Sequence, residues 1–565
     1  MKWVYPDIPG DDVLEYSKQF RLSYLYTSIL LNRNIRSKEA LERYFDKGSH
    51  SLYDPFSMLD MDKAVTVILD ACTERKKILI YGDYDVDGVT AASILYLFLR
   101  KCNESVYYYI PEREKEGYGV SLEGIDHAIE QDIDLIITCD CGVTAHNEIA
   151  YARQHGIDVI VTDHHEQTDG LPDALAILNP KRHEDTYPFR ELCGAGVVFK
   201  LVEAICLRRD GSAEKAVQYL DLVAIGTAAD IVPLVDENRC LVREGLARIR
   251  RQECRMGILE LFNVCQMDTE DITVINIVFG LAPRLNAVGR MGSASRAITL
   301  LTTEDRHTAR QYSIILNQEN EERQKVERTV TREAILQVKE KYGEDLPNAL
   351  VLSGDWHPGV IGIVSSKIKD MLNRPVFLIA VKEGLGKGSG RSIDDFDLHA
   401  ALSACSGHLS GFGGHQMAAG LTVEEANIPD FEAAFLAYAE ANIRPDMLEP
   451  GIHVDADVEI EEINTSMMEF LKDMEPFGPE NMRPKFSVRG VSPHNAAILK
   501  EKHLKFSVKK GGISLNCIAW NMLRFFELVM DPSQQVDMVF VPTLNEWNGV
   551  KRIQLVIKDI RPHIV

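Results

Sequence analysis

Between residues 75 and 235 short β-rich runs alternate with helical stretches, and this alternation restricts the fold more than any other feature of the chain. Residues 77–81, 106–110, 135–139 and 159–162 are dominated by apolar and β-branched side chains, whereas residues 90–101, 146–154 and 195–207 carry helical patterning. Strands separated by helices pair in parallel. The pattern therefore predicts a doubly wound α/β sheet whose ligands gather beyond the carboxyl ends of its strands.

Other segments surround this unit. Residues 1–50 read as helical and peripheral, with apolar periodicity over 24–31 and 41–45. Residues 304–343 contain no proline and one glycine and are rich in Glu, Arg, Gln and Lys, which predicts a long exposed helix joining two lobes. A second, smaller α/β lobe follows, with strands at 349–353 and 375–380 around a helix at 360–371. From residue 450 onward the runs 453–460, 485–491, 504–508, 513–520, 536–541 and 553–560 predict a β-barrel of oligonucleotide-binding (OB) type. The expected division is 1–50, 51–303, 304–345, 346–448 and 449–565. A chain of 565 residues, 45% hydrophobic, is long enough for several cores of this kind.

Composition removes some functions. The start, Met1-Lys2-Trp3-Val4-Tyr5-Pro6, soon meets Asp7, Asp11 and Asp12, so no signal-peptide core is expected there, and no later apolar run reaches bilayer length. The cytoplasm is the expected compartment. Eleven cysteines without a CxxC pair read as reduced, mostly buried thiols. The net charge of -23 argues against a protein that coats nucleic acid by bulk electrostatics, so any such contact must be local.

The run 77–81 leads into Gly82-Asp83-Tyr84-Asp85-Val86-Asp87-Gly88, with Thr90 a candidate cap for the next helix. Carboxylates at alternate positions with a closing glycine also open a calcium-binding EF-hand loop. That reading fails: counted from Asp83, the twelfth position is Ile94 where a bidentate Glu is needed, and a strand precedes the loop where a helix is required. A solvated acidic turn is the other reading of this segment alone. Two further strands end in the same chemistry, however. Residues 135–139 deliver Asp140, and residues 159–162 deliver Asp163-His164-His165. Carboxylates and imidazoles at the ends of neighbouring parallel strands converge on one crevice, where a hard divalent cation can sit. Cys139 and Cys141 flank Asp140, but adjacent strand residues point to opposite faces, which disfavours them as ligands.

Gly-Asp-Tyr-Asp-Val-Asp-Gly, Cys-Asp-Cys-Gly and Thr-Asp-His-His resemble the first three motifs of the DHH phosphoesterase superfamily, and Asp230 in Gly226-Thr-Ala-Ala-Asp-Ile-Val-Pro-Leu234 resembles the fourth. Asn179-Pro180, Cys193-Gly194-Ala195-Gly196 and Pro283-Arg284-Leu285-Asn286-Ala287-Val288-Gly289-Arg290 are similar to its RecJ family, a likeness that runs over nearly the whole chain. The resemblance implies two metal ions, with Asp85 on one, Asp87, His164 and Asp230 on the other, and Asp140 between them. Two cations roughly 3.5 to 4 Å apart stabilise both the attacking and the leaving oxygen of an in-line displacement. Asp163 is then expected to orient a histidine and His165 to face the scissile phosphate, while Asp83 is a further ligand or sits behind one. Some relatives carry a metal-ligating His shortly before the Asp run; Tyr81 and Gly82 stand there in this chain.

The second lobe carries Gly386-Lys387-Gly388-Ser389-Gly390-Arg391-Ser392 and Gly411-Phe412-Gly413-Gly414-His415. Taken alone these are ordinary glycine turns. Their resemblance to substrate-binding motifs of the DHH-associated domain implies that Arg113, Ser389 and Arg391 grip a terminal 5′ phosphate. Arg284 and His415 are then expected on the phosphate near the metals, with Arg290 as a further substrate contact. His357, in Asp355-Trp356-His357-Pro358-Gly359, belongs to a family motif or caps a helix. In the barrel, Trp520, Phe525, Phe526 and Trp547 either stack bases or fill the core, and Lys500, Lys502, Lys505, Lys509 and Lys510 either track a strand backbone or form a solvated hairpin.

The expected activity is 5′→3′ hydrolysis of single-stranded DNA in repair and recombination, a polarity implied by the resemblance alone. Oxygen ligands with imidazoles favour manganese over zinc, with magnesium the alternative. The resemblance further implies a single-strand-binding protein and a RecQ-type helicase as associates, and no membrane. Rival readings are a phosphodiesterase acting on nanoRNA or cyclic dinucleotides, and a non-catalytic DNA-binding scaffold.

Overall fold

The computed structural model of the chain describes residues 1–46, 52–113, 115–167, 170–291, 294–531, 533–547 and 549–564, apart from the side chains of Arg290, Met291 and Trp547. Strand β1 (Lys2–Val4) precedes the helices Gly10–Phe20, Tyr24–Leu31 and Lys38–Phe45. The first lobe is built on β2 (Ile78–Gly82), β3 (Val106–Tyr109), β4 (Leu135–Cys139), β5 (Asp158–Thr162) and β6 (Ala176–Leu178), all parallel, in the order β3-β2-β4-β5-β6. Every residue of β2 and β4 is buried, as a parallel sheet covered on both faces requires. Ile78, Ile80 and Ile137 pack with the helices Val86–Leu99 and Gly194–Asp210, while Leu79, Tyr81 and Ile136 face Ile125 and Ile149 on the other side. The connections turn outward in opposite directions between β2 and β4. That switch point opens a crevice at the carboxyl ends of both strands. The helix after β2 starts at Val86, earlier than the Thr90 cap expected from sequence, because the Asp85 carboxylate accepts the Gly88 amide at 3.0 Å and takes the capping position itself.

The joining helix runs from Arg306 to Tyr342, 37 residues capped by Asp305, or about 55 Å at 1.5 Å per residue. It is less exposed than its composition implied. Ala309 and Leu316 enter the core of the first lobe, and Val330, Ala334 and Val338 enter that of the second, so one stripe is buried along most of its length. The second lobe contains β7 (Leu350–Gly354), β8 (Val376–Lys382), β9 (Leu385–Arg391), β10 (Gly411–Gly414) and β11 (Ala418–Glu424), ordered β10-β11-β9-β8-β7. Both glycine motifs thus form strands, where taken alone they read as turns. In the first the glycines make room for neighbouring strands: a Cβ on Gly390 would run into the Phe377 ring, and one on Gly388 would meet Leu421 at 2.7 Å.

The last unit comprises β12 (Gly451–His453), β13 (Ala456–Asp457), β14 (Phe486–Leu499), β15 (His503–Lys510), β16 (Ile513–Ala519), β17 (Val536–Trp547) and β18 (Val550–Pro562). The pairings β14-β15-β16-β18-β17 and β17 back to β14 close the barrel. The expected strand 453–460 is replaced by the short β12 and β13 and a helical turn. A helix at Thr465–Asp473, absent from the sequence reading, places Met467 and Leu471 in the barrel core. The N-terminal segment is not peripheral. Strand β1 pairs in parallel with β12, the Trp3 indole donates to Asp559 at 2.8 Å, and Leu25 and Ile29 lie in the barrel core. Among the described residues, no helix is long and apolar enough to cross a membrane.

Candidate metal centre

Three strand ends and one helix end deliver the acidic side chains to a single crevice. Asp83, Asp85 and Asp87 follow β2, Asp140 follows β4, Asp163, His164 and His165 follow β5, and Asp230 ends the helix Leu220–Asp230. Ligand atoms of Asp83, Asp85 and Asp140 lie within 4.8 Å of one another, as do those of Asp87, His164 and Asp230, and those of Asp140, His164 and His165. Nε2 of His164 stands 3.0 Å from Asp140, 3.6 Å from Asp230 and 3.8 Å from Asp87. Asp140 therefore sits between two clusters.

Backbone amides hold these carboxylates in place. The helix Gly194–Asp210 points its N-terminus at Asp87, whose oxygens accept the Gly194 amide at 2.5 Å and the Ala195 amide at 2.9 Å. Gly194 has no room for a side chain, since a Cβ there would meet that of Asp140 at 2.6 Å. Asp163 accepts the amides of Val143, His164 and His165, and its Oδ1 lies 2.7 Å from Nδ1 of His165. Asn179 donates to the His165 carbonyl at 2.9 Å, which accounts for one of the sequence signatures. Asp140 adopts a left-handed backbone, φ 65°, tolerated more readily by Asp than by most residues, and its amide donates to Thr162 at 2.9 Å. Tyr81 turns away from the crevice: its hydroxyl accepts the Ser121 amide at 3.0 Å. Gly82 cannot be replaced by a larger residue without displacing Ile110 and Ala92, whose side chains would lie 2.8 and 2.9 Å from a Cβ at this position. No histidine stands at either position, and Asp83 lies in a cluster with Asp85 and Asp140.

Several atoms in this crevice lack partners of their own. Both oxygens of Asp83, Oδ1 of Asp140, Oδ2 of Asp230 and both ring nitrogens of His164 are buried without hydrogen bonds. Leaving so many polar atoms unsatisfied is costly unless a cation completes them. Burial, reinforced by neighbouring carboxylates, raises Asp83 to about 7, Asp87 to about 6 and Asp230 to about 7, and lifts Asp140 well above the usual range. Carboxylate oxygens with one or two imidazoles suit a hard divalent cation such as Mn²⁺ or Mg²⁺. Burial raises the thiols of Cys139 and Cys141, which keeps them neutral and argues against thiolate ligation. At His165 burial works against the charge, but the hydrogen bond to Asp163 and the charges of Asp163, Asp230 and Asp87 together outweigh it and raise the imidazole to about 9.

The residues expected to hold substrate have the following surroundings. The Arg113 guanidinium lies 5.2 Å from the Tyr84 ring centroid. Arg284 donates to Asn317 of the joining helix at 2.9 Å and to the Gly280 carbonyl at 2.6 Å. Its helix, Ala282–Met291, touches the joining helix, Val86–Leu99 and Pro358–Leu372, and so bridges the two lobes. The Arg290 side chain lies outside the described residues. Arg391 donates to Ser389 Oγ at 3.3 Å, beside Gly362. His415 is exposed at the turn between β10 and β11. His357 caps a helix, accepting the Gly359 amide at 3.0 Å. In the barrel Phe525 and Phe526 pack on the core, Trp520 is 55% exposed, and the Trp547 side chain lies outside the described residues. Tyr118 escaped sequence reasoning. Its hydroxyl stands 3.1 and 3.0 Å from the two ring nitrogens of His165 and 3.3 Å from the Asp140 carbonyl, and the only sequence signal was a tyrosine between two glycines.

Family comparisons agree with this architecture. Models described as "DHH family, N-terminal domain", "DHHA1 domain" and "RecJ OB domain" match residues 77–227, 347–441 and 454–559. The parallel sheet with its acidic strand ends thus defines a phosphoesterase core of the DHH class. The single-stranded-DNA-specific exonuclease RecJ of Bacillus subtilis (strain 168) is 37% identical over 563 residues, which cover 99% of this chain and 70% of that protein. The crystal structure of RecJ in complex with Mn²⁺ from Thermus thermophilus superposes with a TM-score of 0.84 at 30% identity, covering 99% of this chain and 79% of that one. The structure of RecJ in complex with Mg²⁺ from the same bacterium gives 0.78 at 29% identity, covering 99% and 78%. The chain belongs to the RecJ family.

Proposed function

We propose that this chain is a single-stranded-DNA-specific exonuclease that hydrolyses phosphodiester bonds from the 5′ end with two divalent cations, manganese foremost and magnesium as the alternative. The observation that carries this reading is Asp140, buried without hydrogen-bond partners on one oxygen and placed between two ligand clusters. Asp83 and Asp85 would hold one cation and Asp87, His164 and Asp230 the other, with Asp140 beside both sets, and cations bound there would supply Lewis-acid stabilisation of the attacking and leaving oxygens. Gly194 and Ala195 keep the Asp87 carboxylate fixed. Asp163 orients His165 through the hydrogen bond to its Nδ1, so that the imidazole faces the scissile phosphate. Arg113, Ser389 and Arg391 grip the 5′ phosphate, and Arg284, Arg290 and His415 hold the phosphates near the cations.

The domains are assigned as 51–303, 346–448 and 449–565, joined by 304–345, with residues 1–50 serving the barrel. We infer cytoplasmic work in DNA repair and recombination, with a single-strand-binding protein and a RecQ-type helicase as associates. Every acidic ligand position is filled, which disfavours a non-catalytic scaffold, and the added barrel disfavours an enzyme of nanoRNA or cyclic dinucleotides. A labelled single strand blocked at one end or the other tests the reading. A block at the 5′ end should protect the strand with Mn²⁺ present. Protection only by a 3′ block, or turnover of di- and trinucleotides with long strands untouched, would overturn it.

A further inference from the structure

Tyr118 enters the metal centre from a loop whose chemistry the ligand set does not use. Its ring is 53% exposed, yet its hydroxyl stands 3.0 Å from Nε2 and 3.1 Å from Nδ1 of His165 and 3.3 Å from the Asp140 carbonyl. A point almost equally far from both ring nitrogens lies in the plane that bisects the imidazole through Cε1, off the axis of either nitrogen. Nδ1 is committed to Asp163 at 2.7 Å. Nε2 is therefore the nitrogen a phosphate oxygen can reach, and the Tyr118 hydroxyl stands beside that approach without filling it.

The loop is tied down on both sides of Tyr118. Glu116 accepts the Glu112 amide at 2.7 Å and the hydroxyls of Ser121 and Tyr109 at 2.6 and 2.9 Å. Tyr81, which turns away from the crevice, anchors the same loop: its hydroxyl accepts the Ser121 amide at 3.0 Å and donates to the Gly119 carbonyl at 3.4 Å. Gly117 and Gly119 each adopt φ 87°, a conformation open to glycine, and so turn the chain on either side of Tyr118. The Tyr118 ring meets that of Tyr84 edge-on, with centroids 6.5 Å apart at 86°, and the Arg113 guanidinium lies 5.2 Å from the same Tyr84 ring. One loop thus carries the arginine assigned to the 5′ phosphate and a hydroxyl beside His165.

We propose that Tyr118 is a further catalytic residue, whose hydroxyl donates a hydrogen bond to the oxygen of the scissile phosphate that His165 faces. The proposal rests on the phosphodiesterase reading of the centre for the identity of that phosphate. A phenol is protonated at neutral pH and serves as donor or acceptor. In the free protein the hydroxyl bonds to His165; with substrate in place it exchanges that partner for the phosphate oxygen, so no hydrogen bond is left unmade. A donor fixed beside oxygens that carry charge in the transition state acts on the chemical step more than on binding.

The test uses the full chain with Mn²⁺ on two substrates, a 5′-phosphorylated oligo-dT strand and bis(p-nitrophenyl) phosphate, a phosphodiester without a strand. Tyr118→Phe, which removes the hydroxyl and keeps the ring, should lower kcat by about 100-fold on both, with KM changed by less than about threefold. Tyr118→Ala should fall to the same level. Mn²⁺ affinity by calorimetric titration and Tm should stay at the wild-type values in Tyr118→Phe. Wild-type kcat in Tyr118→Phe would overturn the proposal, as would a loss confined to KM. Tyr118→Ala far below Tyr118→Phe would also overturn it, since the ring and not the hydroxyl would then carry the effect. So would a fall in Mn²⁺ affinity large enough to account for the lost rate, since the hydroxyl would then act by holding Asp140 through its carbonyl. A wild type that cleaves the small diester and leaves the strand intact would instead defeat the exonuclease reading, and the diester data would still decide the role of Tyr118. A wild type inert on both would defeat the phosphodiesterase reading and this proposal with it.

Discussion

Asp83, Asp87 and Asp230 are held near 7, 6 and 7 by burial and by one another, against an ordinary value of about 3.9 for aspartate. A carboxyl raised by folding contributes stability that is fully present below about pH 4 and is lost as pH rises through its folded value. The cation-free protein should therefore lose stability between roughly pH 4 and 7. A fixed concentration of Mn²⁺ should raise Tm more at pH 8 than at pH 5.5, because protons compete for the same carboxylates at the lower pH, and a hundredfold excess over Kd is worth about 2.7 kcal/mol of stability. Thermal denaturation with chelator and with Mn²⁺ at both values reads this directly, and an equal effect at both would contradict it. Asp163→Asn should lower kcat by about 10- to 100-fold with little change in KM, as expected for a partner that orients a histidine. The acids at the strand ends were legible in the sequence because a strand followed by a carboxylate is a local pattern. Asp83 was read from the same loop as a further ligand or a residue behind one, and it lies within 4.8 Å of ligand atoms of Asp85 and Asp140. Tyr118 was hidden because its partner His165 lies 47 residues away.

Helix starts and glycine strands set the geometry of the centre. The N-terminus of the helix Gly194–Asp210 carries Asp87, and Gly194 lies against Asp140. Gly194→Ala should therefore weaken Mn²⁺ binding by about 10- to 100-fold, measured by calorimetric titration on a protein that remains folded; unchanged affinity would remove the helix from the account. The helices and strands of the first lobe follow their sequence pattern closely because each buries a continuous apolar run. That the motif Gly386-Lys387-Gly388-Ser389-Gly390-Arg391 forms a strand has a reason local sequence does not contain. Its glycines make room for Phe377 and Leu421 on neighbouring strands. The N-terminal helices were read as peripheral because their periodicity shows an apolar face and not what covers it. Ile29 is fully buried in the barrel core, so Ile29→Ala should cost about 2–5 kcal/mol of stability. A drop in Tm of the full chain checks this, and no drop would return the segment to the periphery.

At the scale of the whole molecule two lobes share a long helix, and the two ends of the chain meet at the barrel, where β1 pairs with β12. Pairing between residues some 450 positions apart leaves no local trace, whereas the lobes and the barrel each announced themselves through strand and helix periodicity. The charge of -23 confines substrate attraction to a few cationic side chains. The salt dependence of kcat/KM should accordingly be shallow. Arg391→Ala should reduce the slope of log kcat/KM against log salt by about 0.7, the value for one phosphate contact on a single strand. The central claim is that the crevice at the strand ends is a cation-dependent centre that degrades single-stranded DNA. Its most direct test is digestion of 5′-phosphorylated single-stranded and duplex DNA over a Mn²⁺ titration by the wild type and Asp140→Ala. The account predicts degradation of the single strand alone, dependent on Mn²⁺, and a loss of about a thousandfold or more in the variant, because one carboxylate serves both ions. Degradation by Asp140→Ala at the wild-type rate would contradict it.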